Sequence, residues 1–289
     1  MSQALATDCH AIAFTPGYQS VVEGPERAGG KVTRIPLSAR RGWQIDPREV
    51  GAAIREETGF MIINEPYNPA GALMSRETQA RLRDIAEAND VCILCDEVYR
   101  LLERDYRDRL PAIADFYKKG ISVVTLSKPW GGCGIAIGWV ACQDSSTIQR
   151  LADAQYFGTA CPNRASEIQA IMTLRASDAI LNKNLEIVRQ NLGLLSGFMD
   201  RYSDLFEWVW PKAGAIAFIR FKGPRTIWGA FSGGGNIRQT GVLLLGRRHG
   251  RRRIFPGRVW GEQDTDGVGC PDRICRRTQA HLARRNIGP

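Results

Sequence analysis

Histidine is scarce in this chain. His10, His249 and His281 are the only three in 289 residues, and they stand at no spacing that would ligate a metal. No apolar run is long enough to cross a membrane, and neither an internal repeat nor a long low-complexity segment is present. Met1 to Ala13 lacks a basic start and a long apolar stretch, so it does not read as a signal peptide. Lysine is absent after Lys222. The eight cysteines, several inside apolar runs (Cys92, Cys95, Cys142), fit a reduced cytoplasmic protein with buried thiols rather than a disulfide framework. Cys92-x-x-Cys95 lies within a strand pattern and reads as core rather than as a redox or metal motif.

What is present is enough for a folded body, at 44% hydrophobic residues. Three short apolar runs each end in a polar cluster. Phe60–Ile63 leads into Asn64-Glu65-Pro66-Tyr67-Asn68-Pro69-Ala70-Gly71. Val91–Leu94 leads into Cys95-Asp96-Glu97-Val98-Tyr99, and Ile121–Val124 into Thr125-Leu126-Ser127-Lys128. Between the first two, Ser75 to Asn89 carries Ala80, Leu82, Ile85 and Ala86 at helical spacing. Strand, helix and strand in this order predict consecutive βαβ units of a mostly parallel α/β sheet. In such a sheet ligands gather beyond the carboxyl ends of the strands, where these polar clusters fall.

The third cluster opens the glycine-rich loop Ser127-Lys128-Pro129-Trp130-Gly131-Gly132-Cys133-Gly134. A lysine held between a strand end and a tight turn is placed to form a Schiff base, provided that its amine is fixed and partly desolvated. Further along, Asn163 to Arg175 repeats an apolar stripe at Ala165, Ile168, Ile171 and Leu174. Leu185 to Tyr202 does so at Ile187, Val188, Leu192, Leu195 and Phe198, and Ala213–Phe221 reads as a strand. All three are expected to be core.

The ordered motifs N-P-x-G (Asn68 to Gly71), D-E-x-Y (Asp96 to Tyr99) and S-K-x-x-G-x-x-G (Ser127 to Gly134) resemble the class I/II aminotransferases, a pyridoxal-phosphate family of aspartate aminotransferase fold. The resemblance covers residues 9 to 222 or so. It implies a large domain of pyridoxal-phosphate fold type I in residues 1–184 and the start of an α+β small domain in 185–222. It also implies pyridoxal 5'-phosphate as cofactor, amino acid and 2-oxo acid substrates, a homodimer, and no nucleic-acid or membrane partner. Carried over by position, Lys128 would form the Schiff base and shuttle the proton. Asp96 would face the pyridine nitrogen, Asn68 and Tyr99 the phenolic oxygen, and Thr125 the phosphate, while Tyr18 in Pro16-Gly17-Tyr18 would stack on the ring. An anionic carboxylate beside the pyridine nitrogen keeps it protonated, so the ring can accept electrons released at the substrate Cα.

The chain also departs from this pattern. Where the family has an arginine that grips the cofactor phosphate, this chain has Ala136, and no methyl group replaces a guanidinium fork. The opening Asp8–Phe14 resembles a strand well inside the family's large domain, so a stretch on the order of 80 to 100 residues is expected to precede it in a usual member. From Gly223 to Pro289 there are 13 Arg, no Lys and 4 acidic residues; residues 1–222 are neutral, so the whole net charge of +9 lies in this tail. Its arginine- and glycine-rich character, with Gly233-Gly234-Gly235, reads as a largely out-of-frame and poorly ordered segment. The island Thr240–Leu245 is the exception and reads as a family strand. Ile254–Gly261 can be encoded ATA TTT CCG GGT CGG GTT TGG GGN, with these codons chosen among synonyms. Losing the first nucleotide then gives the peptide YFRVGFG, where the family keeps the arginine for the substrate carboxylate. Arg258 would not be its equivalent. Sequencing the gene tests this directly.

Three readings follow. The chain is an aminotransferase acting through Lys128, a pyridoxal-phosphate lyase or cyclase that shares every residue named above, or a non-catalytic remnant.

Overall fold

The computed structural model describes residues 9–223, 240–244 and 255–257. Gly233–Gly235, His249, Arg258, Cys270, Cys275 and His281 lie outside them, as does most of the Ile254–Gly261 segment. The chain divides into two compact units, one of residues 1–186 and 210–215, the other of 187–209 and 216–289.

In the first unit a six-stranded sheet has the order β2-β1-β3-β4-β5-β6. Its strands are β1 (His10–Thr15), β2 (Lys31–Pro36), β3 (Thr58–Asn64), β4 (Cys92–Asp96), β5 (Gly120–Thr125) and β6 (Gly138–Cys142). The first five run parallel, and β6 pairs antiparallel with β5. Parallel strands are covered on both faces and therefore carry near-continuous apolar runs. Ala11, Ile12, Ala13, Met61, Ile62, Ile63, Ile93 and Ile121 are accordingly buried. The first parallel crossover is made by α1 (Gln19–Arg27), followed at the next by α2 (Pro47–Ala53) and then α3 (Arg76–Ala88). Helix α3 begins at Ser75, whose hydroxyl accepts the Thr78 N–H at 3.0 Å, a standard N-terminal cap. It turns Gln79, Leu82 and Ala86 inward. The short α4 (Ile113–Phe116) precedes β5, and α5 (Ser145–Gly158) and α6 (Arg164–Arg175) follow β6.

The apolar stripe of α6 is not core. Only Ala170 is buried, while Ile168, Ile171 and Leu174 are 44–49% exposed and Met172 is 65% exposed. Spacing alone places these side chains on one face, but it does not supply a neighbour to cover that face.

Helix α7 (Ser177–Arg201) starts eight residues before the expected Leu185 and runs for 25 residues. Its later turns belong to the second unit, where Val188, Leu192, Leu195 and Met199 are buried. The sheet of that unit has the order β10-β9-β8-β7 and is antiparallel throughout. Its strands are β7 (Phe206–Trp208), β8 (Ile216–Phe221), β9 (Thr240–Leu244) and β10 (Phe255–Gly257). An aromatic chain runs Tyr202–Phe198–Phe206–Phe221 with ring centroids 4.9–5.6 Å apart. The island at 240–244 is thus a strand paired with β8, and 255–257 pairs with it in turn.

Candidate active site

The parallel strands end at one edge of the sheet; Asp96 closes β4, and the loops that follow β1, β3, β4 and β5 carry Tyr18, Asn68, Tyr99 and Lys128 respectively. Register fixes the two central groups, since Asn64, the last residue of β3, lies opposite Asp96, the last of β4. The Asp96 carbonyl accepts from Asn64 Nδ2 at 2.8 Å and from the Glu65 N–H at 3.1 Å. Asn64 Oδ1 in turn accepts the Asn68 N–H at 2.6 Å. One buried amide therefore sets Asn68 relative to Asp96. The phenol of Tyr67 donates to the Pro16 carbonyl, which ties the Pro16-Gly17-Tyr18 loop to the same turn. Gly17 is required here, because a Cβ would lie 2.8 Å from both the Phe14 carbonyl oxygen and Val22 Cγ2. Asn64 and Tyr67 are absent from the sequence-derived set, although a polar residue closing an apolar strand was a visible signal for Asn64.

Asp96 is half-buried, and its Oδ1 accepts the Val98 N–H at 3.1 Å. Burial pushes its pKa up to about 6 against the opposing effects of that N–H and of the Lys128 charge. Tyr99 is 3% exposed, and burial raises its phenol well above the ordinary range. Lys128 Nζ stands over its ring, 5.9 Å from the centroid, within cation–π reach.

The lysine loop is held by its backbone. Leu126 N–H donates to the Ile137 carbonyl, and Gly132 N–H to the Leu126 carbonyl, both at 3.0 Å. Trp130 Nε1 reaches Ser177 Oγ at 2.6 Å, and Asn184 Nδ2 reaches the Pro129 carbonyl at 2.8 Å. Leu126, Trp130, Ile135 and Ala170 form a small core beneath it. Since Leu126 and Trp130 occupy the buried positions on either side, Lys128 itself is exposed. The partial desolvation expected for its amine is therefore not met within the described residues. Tyr18 is 44% exposed, just ahead of α1. Thr125 is half-buried opposite Gly138 of β6. A Cβ at Gly138 would lie 2.4 Å from the Val124 carbonyl oxygen, so only glycine lets β6 approach there. Ala136 is exposed and lies at φ 54°, a left-handed conformation.

The donor set fits the ring of pyridoxal phosphate. It offers a carboxylate, an amide, a phenol, an amine and an exposed aromatic along one sheet edge. On the phosphate side, Thr125 is the one residue of this set with a hydroxyl assigned to the task.

Comparison with known proteins bears on the family and the fold. The sequence profile of the family described as aminotransferase class I and II matches residues 1–225. Capreomycidine synthase of Streptomyces vinaceus is 26% identical over 263 residues, spanning 90% of this chain and 64% of the relative. A probable N-succinyldiaminopimelate aminotransferase of Mycobacterium tuberculosis is 31% identical over 189 residues, 63% of this chain and 47% of the relative. The solved structure of a PLP-dependent aminotransferase from Streptococcus suis superposes with a TM-score of 0.74 at 28% identity, over 80% of this chain and 61% of that one. The chain thus spans less than two thirds of the length of these relatives. Among the described residues no helix is long and apolar enough to cross a membrane, and no cluster of His, Cys, Asp and Glu is arranged to hold a metal ion.

Proposed function

Because the chain belongs to the class I and II aminotransferases, a pyridoxal-phosphate-dependent family, we propose that it serves amino-group transfer between an amino acid and a 2-oxo acid. The observation that carries this reading is the row of strand-end groups, with Lys128 Nζ over the Tyr99 ring and Asp96 fixed to Asn68 through Asn64. Pyridoxal phosphate, when bound, supplies the electron sink that stabilises negative charge at the substrate Cα. The Lys128 amine would hold the cofactor and move a proton at Cα. Asp96, ionised above about pH 6, would keep a positive charge on the pyridine nitrogen by direct pairing. The Asn68 amide and the Tyr99 phenol would orient the ring through its phenolic oxygen, Tyr18 would cover one of its faces, and Thr125 would donate to the phosphate.

The proposal includes a homodimer and a cytoplasmic setting. The six cysteines among the described residues are all free thiols, as a reducing compartment favours. A second reading, a lyase or cyclase on the same residues, is favoured by one observation. The relative that spans 90% of this chain is named a synthase.

The first test is the visible spectrum of the purified chain with added pyridoxal phosphate, beside Lys128→Ala. A band that requires Lys128 and shifts on adding an amino acid supports the reading. A chain with no lysine-dependent band does not have this function. Product analysis separates the two readings, since transfer yields a 2-oxo acid and an aminated cofactor, whereas the alternative releases or cyclises a side-chain group.

A further inference from the structure

Directly after Asn64 and Asp96 in the chain stand Glu65 and Glu97, and both line a cavity of about 20 Å³ between the β3 and β4 loops. That is room for a single water. A third carboxylate, Glu103, lines the same cavity, as does Arg100. The three are 8%, 3% and 4% exposed. Their hydrogen bonds are unequal. Glu103 accepts the Leu101 N–H at 3.1 Å and pairs with Arg109 Nε at 2.9 Å. Glu97 Oε1 accepts from the Ile113 N–H at 2.8 Å and from Ser122 Oγ at 2.9 Å, and the Arg100 guanidinium lies 3.8 Å from its Oε2. Among the described residues Glu65 Oε2 accepts only the Met74 N–H at 3.1 Å, and no cation lies within ion-pair distance of it. Two oxygens are left buried without a donor, Glu65 Oε1 and Glu97 Oε2.

Two residues that each keep an unpaired oxygen line one water-sized cavity, and the charge count says which of them supplies a donor. Arg109 balances Glu103, and Arg100 lies beside Glu97. Glu65 has no counter-ion, and a lone ionised carboxylate in such a place neutralises by keeping its proton. We propose that Glu65 is a carboxylic acid at neutral pH, its Oε1 proton given through one cavity water to Glu97 Oε2, and that this acid–carboxylate pair is a positioning layer locking the two loops that carry the site. The loops it joins are the relevant ones. Glu65 holds Met74 of the turn containing Asn68, and Glu97 holds Ile113 and Ser122 against the strand end containing Asp96 and Tyr99. Burial raises the Glu65 pKa well above the usual carboxylate range, and the neighbouring Glu103 and Glu97 charges raise it further, opposed by the Met74 N–H. Glu97 is also raised by burial, but Ile113, Ser122 and Arg100 hold it back. The remaining titratable neighbour, Cys95, stays a thiol because burial pushes it up. The importance of this layer for catalysis rests on the function proposed above, whereas the proton itself does not.

The test uses the full chain and its Glu65→Gln variant, in which a permanently neutral side chain keeps the shape. At neutral pH the infrared difference spectrum of the two proteins should contain a protonated-carboxyl C=O band that shifts in D2O and is lost in E65Q. The folded state holds a proton that the unfolded chain gives up above its carboxylate pKa. E65Q should therefore melt with the parent at about pH 4.5 and increasingly above it as the pH rises from there. An absent band, or E65Q melting below the parent by the same margin at every pH, overturns the proposal. Titration of both proteins with pyridoxal phosphate reads the site separately. A carboxyl band in a chain that never binds the cofactor leaves the proton standing and removes the function.

Discussion

Asn64 holds two groups at once, because its amide reaches the Asp96 carbonyl and its oxygen holds the Asn68 N–H. Asn64→Ala leaves the Asn68 N–H without its acceptor and takes one of two donors from the Asp96 carbonyl, which costs about 1–3 kcal/mol. The expected result is a lower urea midpoint together with weaker cofactor binding, read from the visible titration. Asn64→Leu, which fills the volume, should lose binding just as fully. Ala136 permits a gain-of-function experiment. Ala136→Arg restores the guanidinium that the family places at this point, and a charged hydrogen bond to phosphate should tighten pyridoxal-phosphate binding by about tenfold or more. Unchanged affinity would mean that another group already holds the phosphate. Asp96 sets a pH dependence. Below about pH 6 it takes up a proton, so cofactor binding through a charged pyridine nitrogen should weaken between about pH 7 and pH 5. Asp96→Asn should bind weakly at both.

At the level of elements, His10 ties three strands together. Its Nδ1 is 2.7 Å from Thr58 Oγ1 on β3 and its Nε2 is 2.8 Å from Thr33 Oγ1 on β2. The ring is fully buried, and burial, followed by the Arg55 charge, lowers its pKa below 6.5. The unfolded chain therefore binds the proton first as pH falls. The contribution of His10 to stability is present above about pH 6.5 and is lost as pH drops from there toward the lower folded value. Comparing urea midpoints of the parent and His10→Gln at about pH 7.5 and pH 5.5 should show the advantage of the parent shrinking at the lower pH. The helices differ in what their apolar spacing achieves. Leu192 on α7 is 4% exposed, and Leu192→Ala should cost about 2–5 kcal/mol. Ile168→Ser on α6, at a site 49% exposed, should stay within about 0.5 kcal/mol. A circular-dichroism melt separates the two.

At the scale of the molecule, α5 and α6 leave large apolar side chains in solvent, with Phe157 88%, Tyr156 70% and Met172 65% exposed. Self-association of the purified chain is the expected consequence. Phe157→Ser combined with Met172→Ser should reduce it in sedimentation velocity without lowering the melting midpoint.

The strands, the order of the βαβ units and the polar clusters at their ends were legible in the sequence, because buried parallel strands need continuous apolar runs and ligand-facing groups fall just beyond them. Tyr18, Asn68, Asp96, Tyr99, Thr125 and Lys128 were named on that basis and by resemblance. Their mutual placement was not legible. It depends on register, which sets Asn64 opposite Asp96, and on hydrogen bonds between residues far apart in the chain, such as Tyr67 to Pro16 and Trp130 to Ser177. Exposure was equally hidden. The α6 stripe and the Lys128 amine have the local pattern of buried groups, but burial is a property of what packs against a residue. Composition and periodicity thus determined the elements and the chemical types available. The tertiary structure alone decided which of them meet, which are shielded from water, and that Glu65 has no counter-ion among the described residues.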